Sequence, residues 1–111
     1  MICKNLTIPR KTTKIFELTF KRGNYYQDIT GWTFYFIAKE NMDDPDTGAS
    51  IYKEITTHIN PTKGKTIIEL ESVDTDIYCK NYHYSIDYLD DTGNEGVLFW
   101  DYLKIAKRLK D

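Results

Sequence analysis

Apolar side chains return at every second position along most of this chain, and a period of two marks strands that bury one face. Residues 2–8 form a first short run that Pro9 ends, because proline has no amide hydrogen to donate to a ladder. Over residues 15–21, Phe16, Leu18 and Phe20 share one face while Glu17, Thr19 and Lys21 share the other. Lys21-Arg22-Gly23-Asn24 reads as a turn, Tyr25-Tyr26-Gln27 as a short extended link and Thr30-Gly31 as a corner. That corner opens into the strongest β signal, with Trp32, Phe34, Phe36 and Ala38 on one face and Thr33, Tyr35, Ile37 and Lys39 on the other. Both faces are apolar enough to predict a strand that is central or partly covered on its second side.

After the turn-rich residues 41–50 the alternation resumes over 51–59, with Ile51, Lys53, Ile55, Thr57 and Ile59 on one side and Tyr52, Glu54, Thr56 and His58 on the other. Residues 60–64 turn the chain into 65–71, where Thr66, Ile68 and Leu70 face inward. Residues 72–81 cross between sheets, with room for one helical turn capped around Ser72-Val73-Asp74. Tyr82, Tyr84, Ile86 and Tyr88 then alternate with His83, Ser85, Asp87 and Leu89, and Asp90-Asp91-Thr92-Gly93-Asn94 signals a hairpin. The return strand covers residues 96–107, and Asp101, between Trp100 and Tyr102, marks a bulge or break in it. Seven to eight short strands at this spacing predict an all-β chain: one immunoglobulin-like antiparallel β-sandwich over residues 1–111.

Nine Tyr, five Phe and two Trp are a heavy aromatic load for 111 residues. No apolar run approaches the roughly 20 residues that span a bilayer, and the first residues carry no signal-peptide core, so no membrane contact is expected. Cys3 and Cys79 are expected as free thiols. Asn5-Leu6-Thr7 fits the glycosylation acceptor pattern, which matters only for a secreted eukaryotic protein. The net charge of −2 conceals an arrangement. Residues 1–39 hold seven basic and two acidic side chains, residues 40–101 four and fourteen, and residues 102–111 four and one. Basic ends around an acidic middle point away from nucleic acid and toward complementary protein surfaces.

Catalytic chemistry finds no foothold. His58 and His83 have no second ligand at zinc spacing and read as solvent-facing strand residues. Asp43, Asp44 and Asp46, like Asp90 and Asp91, crowd turns without the twelve-residue calcium-loop pattern. Ser50, Ser72 and Ser85 lie in no nucleophile-elbow context, and Gly64-Lys65-Thr66 lacks the upstream glycine of a phosphate loop. A hydrolase with paired carboxylates needs a separation that no sequence displays. The expectation is a non-enzymatic protein without cofactor or metal. Tyr25, Tyr26, Tyr35, Trp100 and Tyr102 either pack in the core and across strands or form an exposed platform for sugar rings or a partner protein.

Tyr82, following Asp76 and Asn81, fits the tyrosine whose hydroxyl pins the preceding corner in immunoglobulin-like sandwiches. The order of Ile29-Thr30-Gly31, Lys63-Gly64, Asp74-Thr75, Tyr82-His83-Tyr84-Ser85-Ile86 and Leu98-Phe99-Trp100-Asp101-Tyr102-Leu103-Lys104-Ile105 adds to this. Over residues 14–107 the chain resembles the small β-sandwich domains of tailed-bacteriophage structural proteins, above all the amino-terminal domain of baseplate upper proteins. Asp101 and Asn81 stand where those domains tend to have glycine, and no receptor-binding extension like that of larger relatives is expected. The resemblance implies a virion component, made in the host cytoplasm. It would be an accessory or attachment protein of baseplate, neck or head that docks onto other virion structural proteins, in many copies or as a homo-oligomer. Tyr25, Tyr26, Trp100, Tyr102, Lys104, Lys107 and Arg108 are the expected contact residues. If the first and last strands lie side by side, the basic ends form one positive region opposite the acidic turns at residues 43–46 and 90–91. The competing expectation is a carbohydrate-binding or adhesion module that uses Trp100, Tyr102, Tyr25 and Tyr26.

Overall fold

Alternating apolar stripes need a second apolar layer to cover them, and the chain supplies one by dividing its strands among three sheets. The computed structural model describes residues 5–109. Nine strands lie among them: β1 (Leu6–Pro9), β2 (Lys14–Thr19), β3 (Lys21–Arg22), β4 (Tyr25–Tyr26), β5 (Thr33–Lys39), β6 (Ile51–Ile55), β7 (Lys65–Leu70), β8 (Asn81–Leu89) and β9 (Glu95–Ala106). A five-stranded sheet runs β1-β9-β8-β5-β6, while β2 pairs with β7 and β3 with β4. Single 3-10 turns occupy Asp46–Gly48 and Pro61–Lys63, and no α-helix occurs among the described residues. The chain is all-β.

Register decides which side chains meet. Phe36 of β5 lies opposite Ile86 of β8 and Ala38 opposite Tyr84, while Tyr82 of β8 lies opposite Leu103 of β9. These residues, with Phe34 and Ile105, are almost fully buried, as are Ile68, Leu70 and Thr66 from β7. Phe16 of β2 stacks on Phe36 at 6.1 Å between ring centroids, and Phe36 stacks on Tyr84 at 5.6 Å. The Phe20 ring, just past β2, stacks on Phe34 at 5.0 Å. The β2–β7 pair therefore covers one face of the large sheet, and offset aromatic stacking adds to the area buried there. Among the described residues no strand lies over the other face.

Three polar devices hold the corners. The Asp28 carboxylate accepts from the Thr30 hydroxyl at 2.6 Å and the Thr30 amide at 2.9 Å, a local Asx arrangement that leaves its carboxyl below the usual carboxylate range. Gly31 then takes φ 80°, the left-handed region open to glycine, and the chain enters β5. The fully buried Thr75 hydroxyl donates to the Thr12 carbonyl at 2.8 Å and accepts the Thr12 amide at 3.0 Å, tying residues 71–80 to the β1–β2 link. The Tyr82 hydroxyl donates to the Tyr78 carbonyl at 2.7 Å, four residues upstream, which is the corner contact its position predicts.

The structure departs from the sequence reading at identifiable places. The first strand starts at Leu6, includes Pro9, and runs parallel to β9, so the main sheet is not purely antiparallel. Residues 2–4 of that expected strand, and Cys3, lie outside the described residues; Cys79 is a free, exposed thiol. Lys21-Arg22 and Tyr25-Tyr26 pair as a two-residue hairpin around Gly23-Asn24 instead of forming a turn and a link. The strand expected over residues 51–59 stops at Ile55. Residues 56–58 are irregular, and the His58 ring nitrogens contact the Thr66 hydroxyl at 2.8 Å and the Trp32 carbonyl at 2.7 Å while its ring meets the Phe34 edge. It is an inner, bonded side chain, not a solvent-facing one. Residues 71–75 make one turn, closed by the Asp74 carboxylate on the Glu71 amide at 2.8 Å and not by Ser72. The bulge lies at the Ile86/Asp87 step, where Ile86 faces Phe99 and Asp87 faces Val97; Asp101 sits in unbroken strand opposite Tyr84.

Candidate functional site

The uncovered face of the five-stranded sheet is assembled from the second set of alternating positions. Three cross-strand rows follow from the register: Tyr102, His83 and Lys39; Trp100, Ser85, Ile37 and Tyr52; Val97, Asp87, Tyr35 and Glu54. Trp100 and Tyr102 keep 55% and 53% of their surface in solvent, far more than aromatic side chains keep when they serve a core. The His83 and Tyr102 rings lie 5.1 Å apart, and Tyr35 and Tyr52 lie 6.1 Å apart. Residues 40–50, leaving the end of β5, bring Met42 and Asp46 over the edge of these rows. The result is an open groove of about 730 Å³, lined by Ile37, Lys39, Met42, Asp46, Asp87 and Trp100 among others.

The charges in the groove are unevenly matched. The Lys39 ammonium donates to the Asp46 carboxylate at 2.8 Å and to the Asp44 carbonyl at 2.7 Å, so the only Lys or Arg among the described lining residues is already engaged. Asp87 stands in the central column, and its Oδ1 is shielded from solvent with no hydrogen-bond donor. Burial pushes the Asp87 carboxyl above the usual carboxylate range, Asp46 and Glu95 push the same way, and the neighbouring Ser85 hydroxyl and Lys39 oppose them. A shielded carboxylate oxygen without a donor is costly, and such groups mark places where something else supplies the bond. Burial, with Glu54, Tyr52 and Glu95 nearby, raises the Tyr35 phenol as well. No group of three or more His, Cys, Asp or Glu side chains among the described residues is arranged to hold a metal ion.

The predicted contact residues separate into three places. Trp100 and Tyr102 line the groove. Tyr25 and Tyr26 sit on the β3–β4 hairpin, outside it, with Tyr26 under the ammonium groups of Lys21 at 5.1 Å and Lys63 at 5.5 Å. Lys104 is exposed on β9, and Lys107 and Arg108 follow that strand. Arg108 donates to the Lys11 carbonyl at 2.7 Å, and Arg10 pairs with Asp76 at 3.0 Å, so the side-by-side β1 and β9 gather basic residues at one end of the sheet. The acidic turns do not both lie opposite that end. Residues 90–94 do, but Lys39 at the end of β5 faces His83 near the start of β8, so residues 40–50 leave the sheet from the basic end, where Glu40 pairs with Lys80 at 2.6 Å. Sequence reasoning did not single out Asp87 and weighed Asp46 only as part of an acidic turn; an aspartate at an alternate position of a central strand was the available signal. No family model matches the chain, and no curated protein matches it.

Proposed function

We propose that this chain is a non-enzymatic docking component of a tailed-phage virion, a baseplate, neck or head accessory protein built as an immunoglobulin-like β-sandwich. The observation that carries a docking role is the uncovered sheet face, where Trp100, Tyr102, Val97 and Tyr52 stay about half exposed although the fold has a complete core without them. Apolar and aromatic surface of this kind marks contact sites in soluble proteins. The basic end around Lys104, Lys107 and Arg108 offers a second, chemically different surface, as a part that fits between unlike neighbours requires. The layering of β2 and β7 over the main sheet and the Tyr82 corner support the immunoglobulin-like reading. The resemblance carried by the motif order over residues 14–107 supports the virion setting.

Purified phage particles from lysed cells carrying the gene, probed with antibody to this chain by immunogold microscopy and quantitative mass spectrometry, test the reading. Labelling at a fixed position on the particle, in stoichiometric amount, is the expected result. A chain that stays in the soluble fraction while complete particles lack it would overturn the proposal.

A further inference from the structure

The charges lining the groove define the chemistry of a partner that would fit it. The Asp87 carboxyl lines the groove, and its shielded Oδ1 accepts no hydrogen bond among the described residues, while the one lysine among the described lining residues spends its ammonium on Asp46 and the Asp44 carbonyl. The excess charge at this place is therefore negative, and the complementary group is a donor that also carries positive charge. Around Asp87 the rows place Val97 and Tyr35 to either side and the exposed Trp100 on the diagonal, within reach of a long side chain. A guanidinium fits this setting best: its planar fork pairs with a carboxylate, its face stacks on an indole, and it is more weakly hydrated than an ammonium. A neutral sugar would supply hydroxyl donors and stack on Trp100, but would leave the negative charge uncompensated.

We infer that the groove is an arginine socket, in which an arginine side chain of the docking partner pairs with Asp87 and lies against Trp100. This inference rests on the docking reading and names the chemistry of the partner at that surface. The contact gives the interface a desolvated charge pair at its centre, which fixes orientation more than a rim contact does. Lys39 stays on Asp46, keeps the loop of residues 40–50 at the groove edge and leaves Asp87 to the incoming cation.

The test uses the full chain, labelled with nitrogen-15, titrated with acetyl-Gly-Arg-Gly-amide and followed through the two tryptophan indole signals. The Trp100 indole is expected to move saturably while that of Trp32, which stacks on Tyr88 at 5.4 Å, stays in place. The isosteric Asp87→Asn is expected to weaken binding about tenfold, and Asp91→Asn, which removes an equal charge from an exposed turn, to leave it unchanged. Trp100→Ala, read through the backbone amides of β8 and β9, is expected to weaken it as well. An unmoved Trp100 indole, or full affinity in both Asp87→Asn and Trp100→Ala, would overturn the socket. So would saturable binding of maltotriose that survives Asp87→Asn, which would assign the groove to a glycan. A chain that binds the peptide through Asp87 yet is missing from particles would overturn the virion reading alone; a particle-borne chain blind to the peptide would overturn the socket alone.

Discussion

The two faces of the five-stranded sheet share aromatic and aliphatic side chains and are put to different use. On β5 the inner positions Phe34, Phe36 and Ala38 are fully buried beneath β2 and β7, while the outer positions Tyr35, Ile37 and Lys39 are half-buried by neighbours in their own sheet. On β8 the inner Tyr82, Tyr84 and Ile86 contrast with the outer His83, Ser85 and Asp87. On β5, hydrophobicity alone does not separate a core face from a contact face. The separation comes from the second layer, which covers one side only, and from the polar groups left unanswered on the other.

The contrast is broken most severely from inside. Phe36→Ala removes a ring stacked on both Phe16 and Tyr84 and is expected to cost about 3–5 kcal/mol in urea unfolding, the range for a large aromatic lost from a close-packed core. A loss within experimental error would mean that the inner face is no tighter than the outer one. Tyr82→Phe keeps the ring and deletes only the bond to the Tyr78 carbonyl. It is expected to cost about 1 kcal/mol, with amide exchange accelerated around residues 78–82 and not in β5. The outer face should answer in the opposite direction. Asp87→Asn is expected to raise stability by about 0.5–1 kcal/mol at neutral pH, below the roughly 1–3 kcal/mol of a fully buried group without a partner because the side chain is only partly buried. The folded chain holds the Asp87 proton more tightly than the unfolded chain does. Wild type therefore loses stability relative to the variant as pH rises from the ordinary carboxylate value through the raised one, and the difference fades in acid, where both side chains are uncharged. Urea midpoints measured for both proteins across that window check the sign.

How far the chain can be read without its structure differs from one feature to the next. Period two is a local property, so the inward stripes of β2, β5, β7 and β8 were legible from residues such as Phe16, Phe36, Ile68 and Tyr84, and so was the Tyr82 corner. Features set by pairing across distant stretches were not. Nothing near Leu6 announces that it lies beside Leu103 in a parallel ladder. Nothing near Asp101 shows that the bulge falls opposite the Ile86/Asp87 step instead. His58 was misplaced because alternation was extended past Ile55, where the strand ends and the chain is irregular. The groove was half legible: Trp100 and Tyr102 stood out as aromatics, whereas the importance of Asp87 depends on what surrounds it, and that is decided by residues from β5, β9 and the loop of residues 40–50.

The parallel alignment of β1 and β9 also has a mechanical side. Leu6 lies beside Leu103 and Pro9 beside Ala106, with the Arg10 amide on the Ala106 carbonyl at 2.9 Å continuing the ladder. Tension applied to the chain at Leu6 and Ala106 pulls the two strands past each other along their length. Every rung is then loaded together in shear, and the ladder resists as a unit where an antiparallel hairpin would unzip rung by rung.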